Sequence, residues 1–249
     1  MLEGFKRLFN TGTATPAKGW EGIAPWAEGR QYSFRGVQSE GFVIDGRLGA
    51  TPWRLEWGPS QRPYIQGHEL RLRAEMGLVS DLQVVLLNRV LQEQMEKDVF
   101  EQYVEGVQTR IDNQTPPEMR WLVMFPKTSA QHLGRLKERY GAVCSIEAWM
   151  AQWLQSPLND ALAATSELAA PGDPVVLTIG RGRLMLRTTM PQPDARQLAQ
   201  WFSVFEHALR EARRLGTEWR DQAGGGLTTQ PSAWAQSELP TSRLPDIGL

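Results

Sequence analysis

Residues 70–76 read LRLRAEM and residues 184–190 read LMLRTTM, with Leu70, Leu72, Arg73 and Met76 matched in register by Leu184, Leu186, Arg187 and Met190. Leucines two apart place their side chains on one face of a strand. Each stretch leads through a short connection to a residue suited to open a helix, Ser80 in the first case and Asp194 in the second. Beyond these caps Val84, Leu87, Val90 and Leu91 fall opposite Leu198, Trp201, Val204 and Phe205. The matches point to a hairpin-plus-helix unit used twice, although any two strands entering capped amphipathic helices would show similar ones.

Upstream of the first stretch, RQYSFRGV, EGFVIDGRL, TPWRLEW and HELRLRAEM are separated by Gly, Pro and Ser, which predicts an antiparallel meander. Downstream, a long helix is predicted from Ser80 to about Ile111, stopped by Pro116 and Pro117. RWLVMFP (120–126) reads as a buried strand. Two helical segments, SAQHLGRLKERYG and SIEAWMAQWLQSPLNDALAAT, follow it, with Pro157 dividing the second. PVVLTIGRGRLMLRTTM reads as a hairpin turning at 180–182, and a last helix is predicted from Ala195 to a cap at Gly216.

The expected class is α+β, with antiparallel sheet regions packed against long amphipathic helices. Four segments are expected. Residues 1–29 form an amphipathic and irregular lead-in, 30–118 hold antiparallel strands and a long helix, 119–216 hold a strand, helices, a hairpin and the final helix, and 217–249 form a disordered tail.

The chain has 249 residues, 41% of them hydrophobic, and a formal net charge of −1 from 27 basic and 28 acidic residues. That suffices for a sizeable core and supplies no global field for nucleic acid. Charge is uneven: residues 93–118 carry seven acidic and two basic residues, and residues 181–220 carry eight arginines against four acids. The arginines are interleaved with acids and no lysine joins them, so no nucleic-acid face is expected. The single cysteine, Cys144, forms no internal disulfide, and no stretch has the roughly 20 apolar residues of a membrane span. A cytoplasmic protein is expected. Residues 1–9 have the spacing of a short amphipathic helix that could touch a membrane surface, or simply pack on the domain.

Motifs with stated chemistry are missing. GxxxxGK[ST], GxSxG and HExxH do not occur, and IGRGRL lacks the third glycine and the following helix of a dinucleotide site. His68, His132 and His207 show no ligand spacing, so neither a metal nor a cofactor is expected. Ten tryptophans are more informative. Trp53 with Trp57 and Trp149 with Trp153 each share a face, and tryptophan serves both cores and binding surfaces. Those four, together with Arg210, Arg213, Arg214 and Trp234, are the candidate ligand or partner residues. The leading expectation is a non-catalytic interaction or adaptor protein, with a protein partner or self-association. A binder of a small apolar or amphipathic ligand between sheet and helix is the alternative, and an enzyme without a local motif the third.

Overall fold

The structure, a computed structural model, describes residues 20–37, 41–77, 81–104 and 115–222. Its fold is α+β. Eight strands form one antiparallel sheet: β1 (Ser33–Val37), β2 (Gly41–Leu48), β3 (Thr51–Pro59), β4 (His68–Glu75), β5 (Val84–Asn88), β6 (Tyr140–Cys144), β7 (Val175–Gly180) and β8 (Arg183–Thr189), ordered β1-β2-β3-β4-β8-β7-β5-β6. The two opening stretches are therefore neighbours. β4 and β8 pair antiparallel with Leu72 opposite Leu186 and Ala74 opposite Leu184, so their likeness is that of adjacent strands with a common buried face.

On that inner face lie α1 (Ile23–Glu28), α5 (Glu147–Leu154), α6 (Pro157–Ala164) and α7 (Ala195–Gln222), which share one apolar core with the inward side chains of the strands. Leu198, Trp201, Phe205, Ala208, Leu209 and Ala212 place one stripe of α7 in it. Among the described residues, helices cover the outer face at the β5–β7 end. There α2 (Arg89–Val104) and α3 (Pro117–Met124) bury Leu91, Met95, Met119 and Leu122 against Val85, Leu87, Val143 and Val176. The remaining helix, α4 (Ala130–Leu133), runs into a 3₁₀ turn before β6.

Several local expectations hold. Arg181 and Gly182 turn the β7–β8 hairpin with φ of 53° and 72°, as a two-residue loop between twisted strands requires. Asp194 caps α7 by accepting from the Gln197 backbone N–H at 2.7 Å. Pro157 sits in the first turn of α6, where it lacks no bond, and separates α6 from α5.

Others are corrected. No helix follows β4: the chain forms β5 first and enters α2 only at Arg89. Ser80 lies outside the described residues, and the duplicated unit fails because only one of its two copies passes directly from strand to helix. VVLLN is apolar on both faces, and such a run fits a buried strand or a buried helix equally well by periodicity. RWLVMFP is not a strand but mostly α3, with Pro117 in its first turn and Glu118 favoured by the helix dipole. The segment read as one helix at 129–141 is interrupted, and its end is the edge strand β6. The final helix does not stop at Gly216. Trp219 packs on the core and donates from Nε1 to Gln152 at 3.3 Å, and this contact holds the helix past a glycine that costs about 1 kcal/mol in a helix interior. The lead-in also carries core: Trp20 meets the rings of Phe34, Phe42 and Trp57 at 6.4, 5.5 and 6.3 Å. Residues 1–19 and 223–249 lie outside the described residues, so the expectations placed on residues 1–9 and on most of the tail do too.

Candidate functional site

Alternation along the strands decides the site. On β1 to β4 and β8, the residues that alternate with the buried ones point to the outer face: Arg35, Asp45, Arg47, Arg54, Glu56, Glu69, Arg71, Arg73, Glu75, Arg183 and Arg187. Seven arginines meet four carboxylates, an excess of three positive charges. Toward the β1 edge this face stays open, with Arg35, Arg54 and Arg73 side chains retaining 61%, 37% and 40% of their exposure. Arg54 grips Asp45 with two bonds, Nε at 2.6 Å and Nη2 at 3.2 Å, and Glu56 takes Arg71 and Arg73 at 3.2 and 3.4 Å. Such bidentate and shared pairs set the guanidiniums in a fixed lattice.

Toward the sheet centre the charge goes under cover. Glu69 is fully buried; its Oε1 accepts from Arg187 at 2.5 Å and Arg71 at 3.0 Å, and its Oε2 accepts from the Ser60 hydroxyl and the Gln61 backbone N–H, both at 3.2 Å. Beside it Glu118, carried by α3, accepts from Arg62 Nε and the Tyr64 hydroxyl, each at 2.5 Å. Burial, and then the charge of Arg62, lower the pKa of Arg187. Burial, and then the charge of Glu118, raise that of Tyr64, so the phenol stays a donor. The cluster fastens the loop between β3 and β4, together with α3, onto the sheet. With both Glu69 oxygens engaged, this carboxylate is a clamp rather than a base.

Next to this clamp, Val37, Val43, Glu56, Gln61 and Arg71 line a groove of about 330 Å³ near the β1 edge. A second groove, about 450 Å³, lies on the other side of the molecule between the β2–β3 turn and α7. A third, about 240 Å³, runs between α2 and β6 with Gln92, Glu96 and Lys127 in its wall.

The structure scatters the residues singled out from the sequence. Trp53, Trp57, Trp149 and Trp153 are buried at 3%, 7%, 1% and 0% exposure, so these rings are core and not a partner surface. Trp57 and Trp153 spend their indole N–H on the carbonyls of Met190 at 2.8 Å and Ala208 at 3.1 Å. Trp53 and Trp57 point to the inner face of β3, and Trp149 and Trp153 share the core-facing side of α5. Arg210, Arg213 and Arg214 line the 450 Å³ groove together. Trp234 lies outside the described residues.

His68 stacks on Trp57 at 4.6 Å, His132 Nδ1 stands 3.4 Å from Glu147, and His207 is on α7, so the three imidazoles do not meet. Among the described residues no three metal-ligating side chains cluster, and no helix is long and apolar enough to cross a membrane. Burial pushes the Cys144 thiol up to about 11, which leaves it protonated near neutral pH. The oppositely charged α2 and α7 lie on opposite faces of the sheet, and Arg210 and Arg214 of α7 pair with Glu206, Glu211 and Glu218 of their own helix instead. The outer-face arginines belong to no motif. Their signal was the i, i+2 alternation of Arg71 with Arg73 opposite buried leucines.

Comparison with known protein families and with curated proteins finds no match for this sequence. Among solved structures, the crystal structure of the mycobacterial trehalose monomycolate transport factor A, TtfA, is a distant neighbour at 11% identity and a TM-score of 0.39, over 79% of this chain and 93% of that chain. A likeness at that level says nothing of what this chain binds.

Proposed function

We propose that this chain is a non-catalytic cytoplasmic adaptor that docks an acidic surface of a protein partner on the outer face of strands β1 to β4 and β8. The observation that carries the reading is the arginine-rich face itself: an ordered lattice in which arginines outnumber carboxylates, with no described helix packed on its β1–β3 part. Exposed single charges are ordinary on a protein, whereas fixed guanidiniums spread over a flat sheet suit a protein surface bearing carboxylates. Interleaved Asp45, Glu56 and Glu75 would repel a continuous phosphate backbone, which argues for protein over nucleic acid.

The test is affinity capture from the native cell with the wild-type chain and with a triple variant, Arg35→Glu, Arg54→Glu and Arg73→Glu, after equal thermal unfolding has been verified for both. A partner held by the wild type, released by raised salt and not retained by the variant is the expected result. Equal retention by the variant removes this face from the function. A monomeric native mass with no specific partner retained by either protein removes the adaptor role.

A further inference from the structure

The groove between the β2–β3 turn and α7 has chemistry of its own. Its walls come from one helical stripe, Arg210, Arg213, Arg214 and Thr217 at i, i+3, i+4 and i+7, and its floor from Leu209 and Leu48. Two of the three guanidiniums are neutralised along the helix: Arg210 by Glu206 at 2.6 Å, and Arg214 by Glu211 at 2.9 Å and Glu218 at 2.7 Å. Arg213 is different. It is half-buried, has no carboxylate partner among the described residues, and makes a single 3.5 Å contact to the Leu48 carbonyl. A guanidinium holds five N–H donors in a planar fork, and one partly withdrawn from water gains most from an oxyanion. At the mouth the turn is bare: Gly49, at φ +60°, has nothing within 4 Å of where a Cβ would stand. At about 450 Å³ the groove has the size of a small-molecule site.

We infer that this groove binds a small organic anion, a carboxylate or phosphate monoester with a short apolar arm, whose oxyanion pairs with Arg213 and whose arm lies along the partly exposed Leu48. The three glutamates on the same helix cancel the field that would draw in a polyanion, so recognition depends on direct contact with one anionic group. The site is separate from the outer sheet face and does not depend on partner docking there.

The test is calorimetric titration of the full chain with hexyl phosphate, heptanoate and inorganic phosphate. Saturable one-to-one binding of hexyl phosphate is expected, with inorganic phosphate weaker by roughly tenfold or more because it leaves the leucine floor uncovered. Arg213→Gln, verified to unfold at the wild-type midpoint, weakens hexyl phosphate by roughly tenfold or more. Glu218→Gln, which frees one side of Arg214, tightens it. The triple outer-face variant binds like the wild type, which separates this site from the docking surface. Absence of saturable binding at about 1 mM ligand, or equal affinity in Arg213→Gln, overturns the assignment.

Discussion

The two ends of the sheet solve the same problem differently. At the β5–β6–β7 end both faces are covered, and the strands VVLLN and YGAVC are buried at every position. At the β1–β4 end the described helices cover only the inner face, and HELRLRAE alternates buried leucines with partly exposed arginines. Burial on two faces requires an unbroken apolar run, and burial on one face requires alternation. The first kind of strand is energetically secure but has no surface to offer, while the second keeps half its side chains for recognition. Between the two, at β4 and β8, the outer face carries charge that is nonetheless buried, clamped by the loop at 60–67 and by α3.

The largest effect is expected at that junction. Glu69→Ala leaves Arg187 buried without its carboxylate and should destabilise by about 3–5 kcal/mol in urea unfolding; a loss below about 1 kcal/mol would mean that the clamp is open to water. Leu87→Ala, on the outer face of the doubly covered end, should cost about 2–5 kcal/mol, and a surface-like value would show that α2 and α3 do not seal that face.

Cys144 on β6 adds a pH dependence. Its thiol has a folded pKa raised by burial from 9.0 to about 11. A raised folded pKa gives stability that is fully present below pH 9 and lost as pH rises from about 9 through 11, amounting to about 3 kcal/mol. Unfolding midpoints measured across that window should fall less steeply for Cys144→Ala than for the wild type.

Gly180→Ala on β7 tests α3 directly, because the added Cβ would stand 2.2 Å from the Trp121 ring. A cost of about 1–3 kcal/mol is expected by the same measurement, and a neutral result would detach α3 from the sheet. Smallest of all, Arg73→Ala on the open face should change stability by about 0–1 kcal/mol, since its pair with Glu56 is at 3.4 Å and well exposed. A larger loss would mean that the open lattice is structural and not reserved for a partner.

Legibility followed the same division. Every strand of the alternating end could be read from residues 30 to 76, and so could the β7–β8 hairpin and the Asp194 cap, because period-two patterning, turn residues and a capping carboxylate act within a few residues. Two of the doubly buried strands, β5 and β6, fall in segments whose sequence reads as helix or connection, and RWLVMFP, mostly α3, reads as a strand. A short run that is apolar throughout has no period to read. For the candidate surfaces, the arginines of α7 stood out by count, while the tryptophans drew attention to what proved to be core. Nothing in a strand's own sequence says whether its apolar ring or its charged neighbour will be left uncovered.

The sequence by itself therefore determined the α+β class, the alternating meander, the hairpin and the capped final helix, all consequences of local chemistry and side-chain period. Only the tertiary structure decided that LRLRAEM and LMLRTTM are adjacent strands and that α2 and α3 cover one end of the outer face while no described helix covers the other. It also decided that Arg213 faces the β2–β3 turn without a carboxylate partner among the described residues. Those outcomes depend on contacts between segments distant in sequence, such as Glu69 with Arg187 at a separation of 118, and no local pattern encodes which distant group will arrive.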